Sequence, residues 1–396
     1  MAGVMLLKLS PGTAVSLDIP IRKRAMELQV IRHDQVPIGK PLPCNVYDRD
    51  GKLVLKAGEV VNSNRQLEAL RDNGFFIPKH DKAAPPPPTL KESPFALLDP
   101  MPAQVERLYG RMSVEPDFPG RVSAVAKNIQ KACEIDREAC VSWLFLASDM
   151  RYVIGHPIHT AILCELVARQ LDWPEEERLV LLNAALTMNI AQLLIQDKLH
   201  RQAQKLDPPQ RAQINEHCGQ ALEMLQKYAV TDPIWLGAVV QHHERLDGSG
   251  YPGALAGEAI SREARLIAVA DVYAALISEH AHRRAFAANA ALKEIYMLRG
   301  KQLDSQMTEM LIKVVGVFPP GSYVRLANGE IAVVTRNGPT PTTPIVYSFV
   351  NPRGQSINVY SKRECAQPQF AIKEVLTKSK VDVTLNNRAA LWGYKT

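Results

Sequence analysis

The stretch that most constrains this chain is a glycine-rich turn directly after two adjacent histidines. Residues 242–252 read His-His-Glu-Arg-Leu-Asp-Gly-Ser-Gly-Tyr-Pro. Side chains one step apart at a helix end diverge, so His242 and His243 can serve two neighbouring metal ions. Gly248 and Gly250 allow positive φ and close backbone approach, which would leave a shallow opening over the histidines for a phosphate. The stretch therefore predicts a binding or catalytic site, and a surface loop with a buried histidine pair is the competing interpretation.

The same stretch resembles the GYP half of the HD-GYP family, whose members are metal-dependent phosphodiesterases acting on cyclic di-GMP. The resemblance continues at residues 152–157, at residues 215–218 and at residues 268–273, where Asp271 lies nineteen positions after Pro252. It implies the following metal ligands: His156, His217, His242, His243 and Asp271. Their separations are far too long for a local site such as a zinc finger, so they would converge only in the folded domain. A buried structural histidine is the alternative for His156 and His217.

The His-Asp doublet that names the family is changed in this chain. The family has a run of the form His-Asp-x-Gly-Lys, whereas residues 188–192 read Met-Asn-Ile-Ala-Gln. A carboxylate at the doublet can bridge two metal ions roughly 3.5–4 Å apart, and the neutral Asn189 cannot. Met188 offers a soft thioether where iron or manganese favours imidazole, and Gln192 removes a cation from the scissile phosphate. We therefore expect no secure catalytic residue among these three, and one ion of iron or manganese or none.

The resemblance also implies a substrate-binding surface. Its residues are Asp247, Gly248, Gly250, Tyr251, Pro252, Arg265 and Arg283. Arg283 keeps the last arginine of the family's Arg-Pro-Tyr-Arg run, whereas His280 replaces the first. Arg265 matches the family pattern, although an arginine there can also pair with a carboxylate on a helix face. A phosphate-binding surface could thus remain without a competent hydrolytic centre.

Three functions remain open, and they leave enzymatic activity undecided. We favour a catalytically impaired HD-GYP protein of bacterial cyclic di-GMP signalling, which acts by binding the nucleotide or signalling proteins such as diguanylate cyclases. Loss of the bridging carboxylate is expected to cost several powers of ten in rate. One alternative is an active metal-dependent cyclic di-GMP phosphodiesterase with an altered metal site. The other is a metal-free structural interaction module, which stoichiometric metal would contradict.

Composition limits the compartment and the partners. The chain has 396 residues, of which 46% are hydrophobic and 22% charged, enough for two or three packed domains. Its six cysteines form no Cys-x-x-Cys pair, which argues against a disulfide framework and favours the cytoplasm. The net charge of +6 is modest and no dense basic face appears, so we expect no nucleic-acid polymer as partner. No run approaches the length of a membrane span.

The pattern along the chain predicts four segments. They are an N-terminal accessory α+β module (1–82), a proline-rich linker (83–94), a helical HD-GYP-like domain (95–315) and a C-terminal β-rich appendage (316–396). Asp50-Gly51 and Asn328-Gly329 are favoured hairpin turns in the first and last segments. Apolar residues recur at helical spacing through the third segment. The fold class is therefore mainly α: an all-helical HD-domain bundle flanked by two small modules.

Overall fold

The computed structural model describes most of the chain after residue 91 and parts of the chain before it. The described residues are 15–16, 27–30, 39, 41–42, 45–48, 53–56, 58–61, 63, 68, 70, 76–78, 92–147, 150–193, 195, 202, 204, 207–279, 284–378, 381, 385 and 388–394. The chain divides into two compact units, residues 1–91 and 92–396. The proline run of the predicted linker and the predicted substrate residue Arg283 lie outside the described residues.

The first unit contains a five-stranded antiparallel sheet. Its strands are β1 (Val15–Ser16), β2 (Glu27–Val30), β3 (Val46–Tyr47), β4 (Leu53–Leu55) and β5 (Phe76–Pro78), in the order β1-β2-β5-β3-β4. Strands β3 and β4 pair with Val46 opposite Leu55 and Tyr47 opposite Leu53. This pairing confirms the hairpin predicted around Asp50-Gly51, whose two turn residues are themselves outside the described part.

The second unit begins with twelve described helices, which confirms the mainly α fold. They are α1 (Pro94–Leu98), α2 (Met101–Arg111), α3 (Phe118–Ile135), α4 (Arg137–Leu146), α5 (Tyr152–Gln170), α6 (Glu175–Thr187), α7 (Pro208–Asn215), α8 (His217–Lys227), α9 (Pro233–Gln241), α10 (Arg262–Ile277), α11 (Ala288–Leu298) and α12 (Ser305–Val315). Aspartates cap several of them: Asp207 accepts from the Gln210 N–H, and Asp232 accepts from the N–H groups of Ile234 and Trp235. No helix within the described ranges is long and apolar enough to cross a membrane.

Helix α5 forms the centre of the bundle. Every residue from Val153 to Ala168 is buried, so this helix is covered on all sides and has no solvent-facing stripe. Helices α6 and α10 both pack against it. Because α5 carries His156 and α10 carries Asp271, this packing brings together two side chains that are far apart in the sequence.

A second antiparallel sheet follows the helices. Its strands are β6 (Tyr323–Leu326), β7 (Ile331–Arg336), β8 (Ile345–Val350), β9 (Ser356–Glu364) and β10 (Ile372–Leu376), in the order β10-β6-β7-β8-β9, with a short helix α13 (Arg388–Leu391) after them. Gly329 has φ of +89° in the β6–β7 turn, as the predicted Asn-Gly hairpin requires. Val333 and Phe349 belong to the same apolar core as the helices. The sheet is therefore packed into the helical unit, and the segment boundary at residue 316 stays a prediction.

An ion pair between Arg336 on β7 and Asp136 joins the sheet to the helices. The guanidinium donates to both carboxylate oxygens at 2.6 Å, and the Tyr394 hydroxyl donates to one of them at 2.9 Å. Asp136 also caps α4 by accepting from the backbone N–H of Ala139. Burial would raise the pKa of Asp136, but the hydrogen bonds from Arg336 and Ala139 outweigh it and hold that pKa below its usual value.

We expect Asp136→Asn to lower the free energy of unfolding at pH 7 by about 2 kcal/mol, because Arg336 loses its buried partner. Since folding lowers the pKa of Asp136, its contribution is present above the unfolded pKa of about 3.9 and is lost as the pH falls through the folded value. Urea unfolding of the wild-type protein and of Asp136→Asn at pH 7 and at about pH 2 would measure this loss. Glu364→Gln is the control, because the Lys362–Glu364 pair is exposed and worth about 0–1 kcal/mol. Equal losses in the two variants would contradict the prediction.

Candidate metal centre

Three histidines from two helix ends and a loop form a tight cluster. His217 is the first residue of α8, His242 directly follows α9, and His243 begins the glycine-rich loop. One nitrogen of each ring lies within 4.8 Å of the others, and the Nε2 atoms of His217 and His242 are 3.2 Å apart. His217 and His242 are buried, and His243 is half-buried. The loop and two helices that are separate in sequence therefore meet at this cluster.

Backbone carbonyls set the orientation of two of these rings. His217 donates from Nδ1 to the Ile214 carbonyl at 2.5 Å, and His242 donates from Nδ1 to the Val239 carbonyl at 2.6 Å. A carbonyl only accepts, so the proton of each neutral ring is on Nδ1 and both Nε2 atoms present lone pairs. Two lone pairs facing each other at 3.2 Å need a cation or proton between them. This donor set, with His217 and His242 each held by a carbonyl, fits a divalent transition metal.

The protonation state of the cluster agrees with metal binding. Burial, together with the neighbouring His217, lowers the pKa of His242 to about 3. Burial likewise lowers the pKa of His217 and, together with His242, that of His243. All three rings are thus neutral at pH 7, which is the form that coordinates metal ions.

The other two predicted ligands form a separate pair. Nε2 of His156 lies 2.7 Å from Oδ1 of Asp271, and both side chains are buried. Burial raises the pKa of Asp271, but the hydrogen bond and charge of His156 and the nearby His243 outweigh it, so the net shift is far downward. The structure therefore brings together three of the five predicted donors at ligand spacing, with the His156–Asp271 pair in electrostatic contact with them.

The glycine-rich loop is held over the cluster by Glu244. Its buried carboxylate accepts from the backbone N–H of Gly253 at 2.6 Å and of Leu255 at 3.0 Å. The Tyr251 ring lies 4.8 Å from the His243 ring, at 32° between the planes. The loop is therefore fixed against the histidines. Sequence comparison assigned no role to Glu244, although a glutamate directly after two histidines was a visible signal.

The remaining predicted substrate residues of this loop lie at its outer face. Asp247 and Pro252 are exposed, whereas Gly248 and Gly250 are half-buried. Gly248 has φ of +74°, and Asp247 accepts from the Ser249 backbone N–H at 3.0 Å, which closes the turn. The contacts of these residues lie within the loop, and their role in substrate binding stays a prediction.

Arg265 lies in a different environment. It is paired with Glu258 at 3.2 Å and with Asp304 at 3.3 Å. It lines a groove of about 620 Å³ together with Trp173, among other residues, and none of the five predicted metal ligands lines that groove. These contacts are of the kind that the alternative interpretation predicted, in which Arg265 pairs with carboxylates instead of a phosphate.

The residues at and after the position of the family's His-Asp doublet are buried within the helical unit. Met188 is fully buried in the apolar core, and Asn189 is buried beside it in the sequence. Gln192 donates to the Ile214 carbonyl at 3.4 Å, the same oxygen that accepts from His217. Gln192 thus supports the carbonyl that orients a metal-facing histidine, a role that sequence comparison did not predict.

A cavity of about 580 Å³ lies beside His156 on the side of the C-terminal sheet. Its walls include Tyr152, Phe286 and Tyr323, and Lys378 lies among its exposed lining residues. The Tyr152 ring stacks on the His156 ring with centroids 4.9 Å apart. The volume is that of a small-molecule site. Sequence patterns could not reveal this cavity, because its lining comes from segments more than two hundred residues apart.

Comparison with known proteins gives consistent results. A family model for the HD domain matches residues 141–307. A cyclic di-GMP phosphodiesterase of Pseudomonas aeruginosa is 30% identical over 218 residues, which are 55% of this chain and 52% of that protein. A cyclic di-GMP phosphodiesterase response regulator of Xanthomonas campestris pv. campestris is 37% identical over 150 residues, or 37% and 39% of the two chains. A 3'3'-cGAMP-specific phosphodiesterase of Vibrio cholerae is 30% identical over 179 residues, which are 45% of this chain and 38% of that protein. The chain spans about half or less of these curated relatives.

Proposed function

We propose that residues 141–307, which match a family model for the HD domain, form a domain of the HD-GYP family. The protein would bind a cyclic dinucleotide and hydrolyse it far more slowly than a two-metal phosphodiesterase does. The relatives named for cyclic di-GMP or cGAMP give the ligand class. The protein would then act in signalling as a receptor, with protein partners such as diguanylate cyclases as a further prediction.

The observation that carries the slow hydrolysis is the state of the carboxylates around the histidines. The doublet position offers the buried thioether of Met188 and the neutral amide of Asn189. Asp271 is hydrogen-bonded to His156, and Glu244 is occupied by two backbone N–H groups of the loop. A bridging carboxylate holds the two ions of such a site in place, and the doublet position supplies no carboxylate.

Metal binding by the three histidines is supported independently of catalysis. Their rings are neutral, and carbonyls orient those of His217 and His242, as is usual for metal-binding histidines. A bound divalent ion would supply a fixed positive charge beside an anionic ligand. The chain's own contribution is to hold both Nε2 atoms in place and to keep the loop closed over them through Glu244. We infer one ion at this centre.

The cavity beside His156 supports nucleotide binding. Its aromatic walls suit a planar base, since bases stack readily on aromatic side chains. His156 lines the cavity and contacts Asp271 through Nε2, so the cavity adjoins the His156–Asp271 pair. The five described cysteines are all free and buried, which supports a reducing compartment for this binding.

The test compares binding with turnover in the purified full chain loaded with metal. Isothermal titration with cyclic di-GMP and with 3'3'-cGAMP should show saturable binding of at least one of them. Chromatography of the linear product should show turnover no faster than in His242→Ala/His243→Ala, which excludes a contaminating enzyme. Absence of binding by both nucleotides would refute the receptor function.

An active phosphodiesterase with an altered metal site is the second candidate. The intact histidine cluster favours it, because three protein ligands are the usual set for a catalytic ion. Turnover that disappears in the double histidine variant would establish this candidate in place of the first.

A further inference from the structure

The cavity beside His156 is lined by residues whose buried polar atoms have no partner in the protein. Four such atoms occur within the part of the chain that the structure describes: both ring nitrogens of His159, Nδ1 of His156 and Oγ of Ser322. All three residues are more than nine-tenths buried. A buried donor or acceptor without a partner costs free energy, so a group of them at one cavity requires an explanation. A molecule bound in the cavity can supply the missing partners.

His159 has neither of its ring nitrogens paired. It lies on α5, where the Trp143 ring holds it edge to face, with centroids 5.7 Å apart and planes at 86°. Burial, together with the charge of His156, lowers the pKa of His159 to about 3, so the ring is neutral at pH 7. A neutral imidazole has one N–H donor and one lone pair. His159 can therefore pair with one acceptor and one donor of a ligand.

Ser322 lines the cavity from the side of the C-terminal sheet, directly before β6. Its backbone N–H donates to the Pro319 carbonyl at 3.0 Å, and its carbonyl accepts from the Val334 N–H at 2.9 Å. The preceding Gly321 has φ of +92°, and a Cβ there would lie 2.7 Å from the carbonyl oxygen of Ser142 on α4. The main chain at Ser322 is thus held in place, and only its hydroxyl is left to contact a ligand.

The lining residues together restrict the chemistry of that ligand. Tyr152, Phe286 and Tyr323 favour a planar ring, because such rings stack on aromatic side chains. A plain hydrocarbon ring would leave His159 and Ser322 unpaired, and a sugar would offer the aromatic walls no flat face. A nucleobase has both a flat face and an edge with donors and acceptors.

We propose that His159 and Ser322 hydrogen-bond to the edge of a nucleobase in this cavity, so that the C-terminal sheet forms part of the nucleotide site. The proposal rests on the proposed nucleotide binding and adds the residues that recognise the base. The cavity is lined by none of the three clustered histidines and by no residue of the glycine-rich loop. Base recognition would therefore depend on α5 and β6, outside the histidine cluster.

His159→Phe distinguishes ligand contact from packing. Phenylalanine keeps a ring beside Trp143 and removes both unpaired nitrogens, so the ligand-free chain should unfold at a temperature about 2–4 °C higher. The same variant should bind cyclic dinucleotide roughly 10–100-fold more weakly, because the buried edge of the base loses its partners. A histidine that served packing alone would not combine higher stability with weaker binding.

Two further variants complete the comparison. Ser322→Ala removes one hydroxyl, leaves α5 unchanged and should weaken binding roughly tenfold. Thr308→Val is the matched control, because the Thr308 hydroxyl is also buried and unpaired but does not line the cavity. It should unfold at the same or a higher temperature than the wild-type chain and keep the wild-type affinity.

Thermal unfolding without ligand and isothermal titration with cyclic di-GMP, 3'3'-cGAMP, GMP and AMP provide the measurements on the full chain. Wild-type affinity in both His159→Phe and Ser322→Ala would overturn the proposal and leave the receptor function standing. An equal loss of affinity in Thr308→Val would also overturn it, since the effect would not depend on the cavity.

The mononucleotides separate this proposal from the receptor function. Binding of GMP or AMP that is weakened in both cavity variants, without binding of either cyclic dinucleotide, would refute the receptor function and support the base site. Binding of none of the four nucleotides would refute both.

Discussion

Met188→His/Asn189→Asp is expected to hydrolyse cyclic di-GMP at least about a hundredfold faster than the wild-type chain, when both are loaded with iron or manganese. The change restores an imidazole and a carboxylate at the doublet, and a bridging carboxylate is what holds two ions at the spacing for in-line attack. A hundredfold increase in rate corresponds to about 2.7 kcal/mol of transition-state stabilisation. This is less than the several powers of ten expected for a fully restored bridging carboxylate. Linear product measured by chromatography and metal content measured by atomic emission check the prediction.

Because Met188 and Asn189 are buried, this experiment needs a second, milder variant and a matched control. Met188 lies in the apolar core, so a histidine there costs stability and the single variant Asn189→Asp is the milder second arm. Met188→Leu/Asn189→Ala is the matched control, because it changes the same positions without adding a donor. If the restored variant binds two ions and turns over no faster than this control, the bridging carboxylate is not what limits hydrolysis.

Gly250→Ala is expected to lower the free energy of unfolding by about 2–3 kcal/mol and to weaken cyclic dinucleotide binding at least tenfold. A Cβ at residue 250 would lie 2.4 Å from the backbone nitrogen of Arg245 and 2.5 Å from the Cα of Glu244. Both contacts are with backbone, so the loop itself must move away from the histidines. That movement would strain the Glu244 hydrogen bonds that hold the loop closed.

Gly237→Ala is the matched control for this variant. Gly237 lies within α9, where an added Cβ meets nothing within 4 Å, so alanine should stabilise the chain by about 0.5–1 kcal/mol. Urea unfolding gives the stability of both variants, and isothermal titration gives their nucleotide affinity. Equal behaviour of the two variants would mean that the close packing at Gly250 does not hold the loop in place.

Much of the fold could be predicted from local sequence. The hairpin turns at Asp50-Gly51 and Asn328-Gly329 depend on residues that accept positive φ, and the strands beside both turns pair as expected. The helices from α1 to α12 follow from apolar periodicity and from capping residues such as Asp207 and Asp232. These signals are local, because a turn or a cap involves only neighbouring residues.

The candidate site was only partly predictable. Resemblance to the family indicated His217, His242 and His243, and the structure places them together. It also indicated Arg265 for substrate binding, whereas the structure pairs Arg265 with Glu258 and Asp304. A motif gives the residue type at a position, but the partner of a charged side chain depends on which helix packs beside it.

The sequence by itself determined the mainly α fold, the motifs that resemble the HD-GYP family and the absence of a carboxylate at the doublet position, because apolar periodicity and residue identity at motif positions settle them. Only the tertiary structure decided that His156 pairs with Asp271 beside the three-histidine cluster, and that Gln192 contacts the carbonyl that orients His217. These contacts join residues from separate helices or loops, and hydrogen-bond and ligand geometry depends on ångström distances. Packing of the helices fixes those distances, and no local pattern in the chain encodes them.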